Sequence, residues 1–162
     1  MALAAQPESG LDDRVLVISR LFDAPRPVLF ASWTDARQLA QWWGPRGFVV
    51  GACEADVRIG GSWRVETHSP GGETHNAGGT YREVAFPERL AFTMAWDGTE
   101  DGEPHRETLV TLAFAEEGAR TRMTFRQSVF SSTAARDAHD RGWSSAFEMQ
   151  AGYLATLQGD TR

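Results

Sequence analysis

The sequence predicts an α+β domain: an antiparallel sheet of about seven strands, two short helices and a long C-terminal helix. Two periodicities and a size argument predict it. Between residues 46 and 128 apolar and polar residues alternate with period two, in strand-length runs separated by turn signals. From about 133 to 158 the period changes to that of an amphipathic helix. At 162 residues the chain fits one domain with a sizeable core, here placed at 14–158, with flexible ends at 1–13 and 159–162.

The first element is VLVISRLF (15–22), rich in β-branched and apolar residues and closed by the turn-forming DAPRP, which reads as a strand. RPVLFASWTDARQLAQWW then places Val28, Leu29, Ala31, Ser32, Trp33, Ala36, Leu39, Ala40 and Trp43 at near-helical spacing. Asp23 is the expected cap, ahead of prolines suited to a first turn. Thr34-Asp35 predicts a bend between two short helices, with Asp35 capping the second, and Gly44-Pro45 stops it.

Six runs follow as strands: FVVGACEADV, SWRVETHS, GGTYREVAF, ERLAFTMAWD, ETLVTLAFAE and ARTRMTFRQS, separated by IGG, SPGG, FPE, DGTEDGEP and EEG. Trp63, Val65 and Thr67 share one face of their strand, as do Leu90, Phe92, Met94 and Trp96 of theirs. Such a meander needs cover on its apolar face. The last element supplies it: Ala135, His139, Trp143, Phe147, Ala151, Leu154 and Leu157 recur at three- and four-residue steps along a helix of about 39 Å. Gly142 interrupts that helix at a cost near 1 kcal/mol relative to alanine, which raises the alternatives of close packing, a small bend, or simple tolerance.

Composition narrows the function classes. A hydrophobic content of 41% with 23% charged residues is that of a globular protein. The net charge of −6, with no basic run, argues against nucleic acid as a partner. No stretch reaches the ~18 apolar residues of a membrane span, MALAAQPESG is no secretory leader, and a lone Cys53 fits a reducing interior, so membrane insertion is not expected and a cytoplasmic setting is.

The order of elements, with FDAPRPVLFASWTD, QWWGP, DVRIGGSWRV, GGTYREV, PERLAFTMAW and GWSSAFEMQ, resembles the Hsp90-ATPase-activator-homologue branch of the START/Bet v 1-like superfamily over about 14–158. The resemblance implies a helix-grip fold, in which a curved antiparallel sheet wraps the long C-terminal helix and often leaves an apolar cavity between them. It also accounts for the adjacent Trp42 and Trp43, which cannot share one narrow helical stripe. One ring is expected in the core and the other at the mouth of the cavity.

The candidate ligand-binding residues are therefore Trp42, Trp43, Trp63, Phe92, Met94, Trp96, Leu112, Met123, Phe125, Trp143 and Phe147, with Tyr81 and His139 as polar members. The same apolar list would also build a solid core. Catalytic chemistry is sparse. His68, His75 and His105 fall in polar turns or at outward strand positions and read as solvated, with no metal-ligand spacing, so neither metal nor cofactor is expected. His139 shares the inward stripe with Trp143 and is placed at a pocket rim. Glu54 and Asp56 read as outward acids facing arginines across the sheet, the Gly-Gly pairs as hairpin turns, and Ser131-Ser132-Thr133 as a helix cap.

The leading expectation is a protein that binds a small hydrophobic or aromatic ligand between helix and sheet, a role that includes the scavenging and stress-response activities of related single-domain proteins. A polyketide cyclase/aromatase-like enzyme is the alternative and needs Tyr81, His139 and Glu148 to converge. An Hsp90-related interaction role is less expected, because the stimulating relatives also use an additional N-terminal domain for which 162 residues leave no room. A homodimer is left open.

Overall fold

The computed structural model describes residues 13–100 and 102–159. The expected loose ends lie outside these residues, apart from Asp13 and Gly159. The chain begins with β1 (Leu16–Phe22), then two helices, α1 (Arg26–Thr34) and α2 (Ala36–Trp42). Four strands follow: β2 (Val49–Ala55), β3 (Ser62–His68), β4 (Thr74–Ala85) and β5 (Arg89–Trp96). After a small hairpin of β6 (Thr99–Glu100) and β7 (Glu103–Pro104) come β8 (Thr108–Glu117), β9 (Arg120–Ser128) and α3 (Thr133–Gly159).

Seven strands form one antiparallel sheet in the order β1-β9-β8-β5-β4-β3-β2. The meander read from the sequence is present, and β1 joins it beside β9, in register from Leu16↔Gln127 to Phe22↔Thr121. This leaves β1 and β2 as the two edges. The expected faces hold: Trp63, Val65 and Thr67 are buried, as are Leu90, Phe92 and Met94. On β5 the neighbours Ala91 and Thr93 are buried too, because this central strand is flanked by β4 and β8. Gly79 is what lets β4 come so close, since a Cβ there would stand 1.9 Å from the Thr93 carbonyl oxygen.

Two local readings are corrected. Asp23 does not cap α1; Pro25 does, with its ring-fixed φ of −65° and extended ψ of 154°, and its carbonyl accepts from the Val28 and Leu29 amides. Asp23 lies two residues too early, and its carbonyl instead accepts the Gln158 side-chain amide. The segment DGTEDGEP, read as a turn, carries the β6–β7 hairpin, whose two-residue strands are too short to show a period. The other caps fall where expected. Asp35 accepts from the Arg37 amide at 2.9 Å, and Ser132 accepts from the Ala135 amide at 3.0 Å. Gly44, at φ +95°, turns the chain out of α2.

Helix α3 lies against the sheet with Trp143, Ala146, Phe147, Gln150 and Leu154 buried. Around Trp33 the rings of Trp42, Phe92, Trp143 and Phe147 pack at centroid distances of 4.7–6.1 Å. This aromatic centre joins the short helices, the sheet and α3 into one core. No helix among the described residues is long and apolar enough to cross a membrane.

Candidate functional site

Toward its N-terminus α3 carries Ala135, Ala138, Gly142 and Ala146 along the side that faces the sheet. Side chains this small cannot span the gap between helix and sheet as Phe147 does beside Ala146. The result is a cavity of about 610 Å³, open to solvent. Its walls are the α2–β2 turn (Trp43, Gly44, Pro45, Phe48), the sheet (Thr67, His75, Met94, Trp96), His105 after β7, and the first half of α3 with His139 and Trp143.

The aromatic walls are fixed by hydrogen bonds behind them. The Trp143 indole N–H donates to Gln127 Oε1 at 2.8 Å, and Gln127 Nε2 donates to Thr108 Oγ1 at 2.8 Å and approaches Met94 Sδ at 3.7 Å. Thr108 in turn donates to the Met94 carbonyl at 3.1 Å. Gln127 is 1% exposed, so this network settles all of its polar atoms away from water. On the other wall the Trp96 indole N–H donates to His139 Nε2 at 3.0 Å, while His139 Nδ1 lies 2.8 Å from the Ala135 carbonyl. An Nε2 that accepts and an Nδ1 facing a carbonyl define the neutral imidazole with its proton on Nδ1. The His139 ring also packs on Phe130 at 4.7 Å.

The two adjacent tryptophans take different places, one in the core as expected and the other buried in the cavity wall rather than at its mouth. Trp42 is a core residue, 1% exposed, with its N–H donated to the Ser32 carbonyl at 2.9 Å. Trp43 lines the cavity and packs against Trp143 at 5.2 Å and Trp63 at 5.4 Å. Behind Trp43 lies a second void of about 10 Å³, lined by Trp33, Leu39, Trp43, Trp63, Tyr81 and Phe92. Trp43 is thus the partition between an open chamber and a void large enough for one small group.

Of the candidates, Trp43, Met94, Trp96, His139 and Trp143 line the open cavity. Trp63, Tyr81 and Phe92 meet only the inner void. Trp42, Leu112, Met123, Phe125 and Phe147 line neither; they are buried where α3 closes on the sheet, with Phe125 packed on Trp143 at 4.8 Å and Phe147 at 5.4 Å. All three surface histidines were expected to be solvated: His75 is exposed as expected but on the cavity side of its strand, and His105 is half-buried. His75 and His105 line the cavity, and the His75 ring meets Phe48 and Trp96. A period-two count back from buried Tyr81 through Gly79 and Ala77 reaches His75, and register pairs it with inward Thr67. His68 is at the surface, beside Glu66 and Thr74. Phe48 and Pro45 had no periodic signal, since they sit in a turn.

Tyr81, His139 and Glu148 do not converge. Tyr81 faces the inner void, His139 the open cavity, and Glu148 is exposed in an ion pair with Arg46 at 3.6 Å. Burial first, then Cys53 and Asp56, holds the Tyr81 phenol well above its ordinary range, so it is a poor proton donor or acceptor. Burial, and secondarily Glu54, pushes the Cys53 thiol up to about 11, which leaves it largely unreactive as a nucleophile. Among the described residues no group of His, Cys, Asp and Glu could hold a metal ion.

The family model described as "Activator of Hsp90 ATPase homolog 1-like protein" matches residues 23–155. No curated protein matches the chain. Among solved structures, the AHSA1 protein of Silicibacter pomeroyi is similar at 27% identity and a TM-score of 0.79, covering 88% of this chain and 99% of that one. A protein from Rhodobacter sphaeroides is similar at 26% identity and a TM-score of 0.75, covering 90% and 95%. One from Mycobacterium smegmatis reaches 25% identity and a TM-score of 0.74, covering 91% of each chain.

Proposed function

The chain belongs to the activator of Hsp90 ATPase homolog 1-like family, and from that premise we propose that it binds a small, mainly apolar aromatic ligand in the cavity between α3 and the sheet. The observation that carries this reading is a cavity of about 610 Å³ walled by Trp43, Trp96 and Trp143. That volume falls within the roughly 300–1,000 Å³ of small-molecule sites, and such sites combine an apolar lining with a few polar groups. The indole N–H groups of Trp96 and Trp143 are already donated to His139 and Gln127, so these two walls are held in place before a ligand arrives.

Binding rather than catalysis is favoured because the acid–base constellation a cyclase would use is not assembled in one chamber. An Hsp90-directed role rests on the family's description alone. Among the described residues, the exposed Val17 on β1 and Val49 on β2 lie on opposite edges of the sheet and do not form one patch. The setting we assign is cytoplasmic.

Native mass spectrometry of the purified protein, followed by denaturation, tests the reading: a released small aromatic or hydrophobic mass is the expected result. Gly142→Leu supplies the control, because Gly142 lines the cavity and a side chain there grows into it. That variant should fold and lose the adduct. An apo mass for the wild type, with no thermal shift on a panel of aromatic compounds, would sink the proposal.

A further inference from the structure

Among the described residues the cavity lining holds one that carries a fixed charge, Asp97, and the direction of its side chain bears on what the chamber can accept. Trp96 faces the cavity, so Asp97, the next residue along, turns to the other face of the sheet, where its carboxylate pairs with Arg64. Asn76 alternates in the same way between His75 and the buried Ala77. Among the described residues the lining thus contains no lysine or arginine, and the one acid among them pairs with Arg64 on the far side.

The ionisable groups that remain are three imidazoles. His139 is fixed as the neutral tautomer by Trp96 and the Ala135 carbonyl. His75 lies 3.9 Å from the Glu73 carboxylate, which sets a negative charge beside it. His105 completes the set at the mouth.

From this arrangement, which rests on the binding reading above, we infer that the cavity selects by charge: it takes uncharged aromatic molecules and rejects carboxylates, so fatty acids and aromatic acids fall outside its ligand class. A carboxylate drawn between the tryptophans would give up its hydration with no cation to receive it, a penalty far larger than the gain from its ring. A hydroxyl or carbonyl at the mouth keeps contact with water and with the imidazoles at little cost.

The test is a tryptophan-fluorescence titration at pH 8 with naphthalene, 2-naphthol and 2-naphthoate, three probes of nearly one shape. Naphthalene and naphthol should bind, and naphthoate should bind at least about tenfold more weakly than naphthalene. His75→Arg combined with Glu73→Gln puts a guanidinium in the cavity wall; within that variant naphthoate should bind as tightly as naphthalene or better, so the naphthoate-to-naphthalene affinity ratio is the readout. Naphthoate binding as tightly as naphthalene in the wild type would overturn the charge rule while leaving the binding site intact. Rejection of naphthoate that persists in the double variant would overturn it too, by showing that something other than missing positive charge excludes the acid. If none of the three probes binds, the cavity reading falls, and the charge rule falls with it.

Discussion

From Trp143 to Leu154, α3 presses large side chains into the sheet and the short helices, and Phe147 there is 0% exposed. From Ala135 to Gly142 the same helix, on the same three- and four-residue spacing, faces a chamber. The hydrogen-bonded geometry of the two halves is alike; the size of the residues on the inward stripe differs. A helix-grip domain can therefore place a solid core and an open cavity along one helix, with Trp143 serving both as a core residue and as a wall.

This contrast can be broken most severely from the solid side. Phe147→Ala should lower unfolding free energy by about 3–5 kcal/mol in a denaturant titration, since the ring is enclosed by Trp33, Trp42, Phe125 and Trp143. A loss below ~1 kcal/mol would mean that this half is as loosely filled as the other. Gln127→Leu probes the boundary. It leaves the buried Trp143 N–H without its acceptor and should cost about 1–3 kcal/mol, with altered tryptophan emission because the cavity wall is no longer held.

On the open side the sign reverses. Gly142→Ala adds a methyl whose nearest contact outside the helix would be Pro45 Cγ at 3.9 Å, an ordinary van der Waals distance. Helix propensity should then stabilise the protein by up to ~1 kcal/mol, read as a higher thermal midpoint; destabilisation would show that the chamber is tighter than it looks.

The smallest effect is at Cys53, on an edge strand away from both halves. Its thiol is held at about 11 against an ordinary 9.0, so the folded state keeps the proton that the unfolded chain gives up first. The stabilisation is complete below pH 9 and is lost as pH rises from 9 toward 11. Because the group is half exposed, the loss is modest. Comparison of thermal midpoints should show the wild type declining slightly more steeply than Cys53→Ala in that window.

The sequence carried most of the fold because each strand has a period and a turn signal beside it, as SWRVETHS has, and because α3 keeps its stripe for seven turns. The hairpin at 99–104 was hidden, since two residues define no period. The start of α1 was misassigned because Asp23 offers a capping side chain, yet the stiff backbone of Pro25 fixes the entry without one. At the site, Trp43, Trp96 and Trp143 were legible as inward aromatics. Leu112, Met123 and Phe125 carried the same inward signal and proved to be core, because whether a residue meets a ring or a void depends on what stands opposite it in another element. His75 was readable in principle from the alternation of β4, but a histidine in a polar run between two glycine pairs reads first as surface.

The small inward residues of α3 also bear on how such a domain changes over generations. Exchanging Ala135, Ala138 or Gly142 for something larger reshapes the chamber, while Phe147, Gln150 and Leu154, buried on the same helix, sit further along it and Trp143 belongs to both. The shape of the chamber and the foldedness of the domain are thus written largely in separate letters of the same element. A lineage can therefore alter the chamber at little cost in stability.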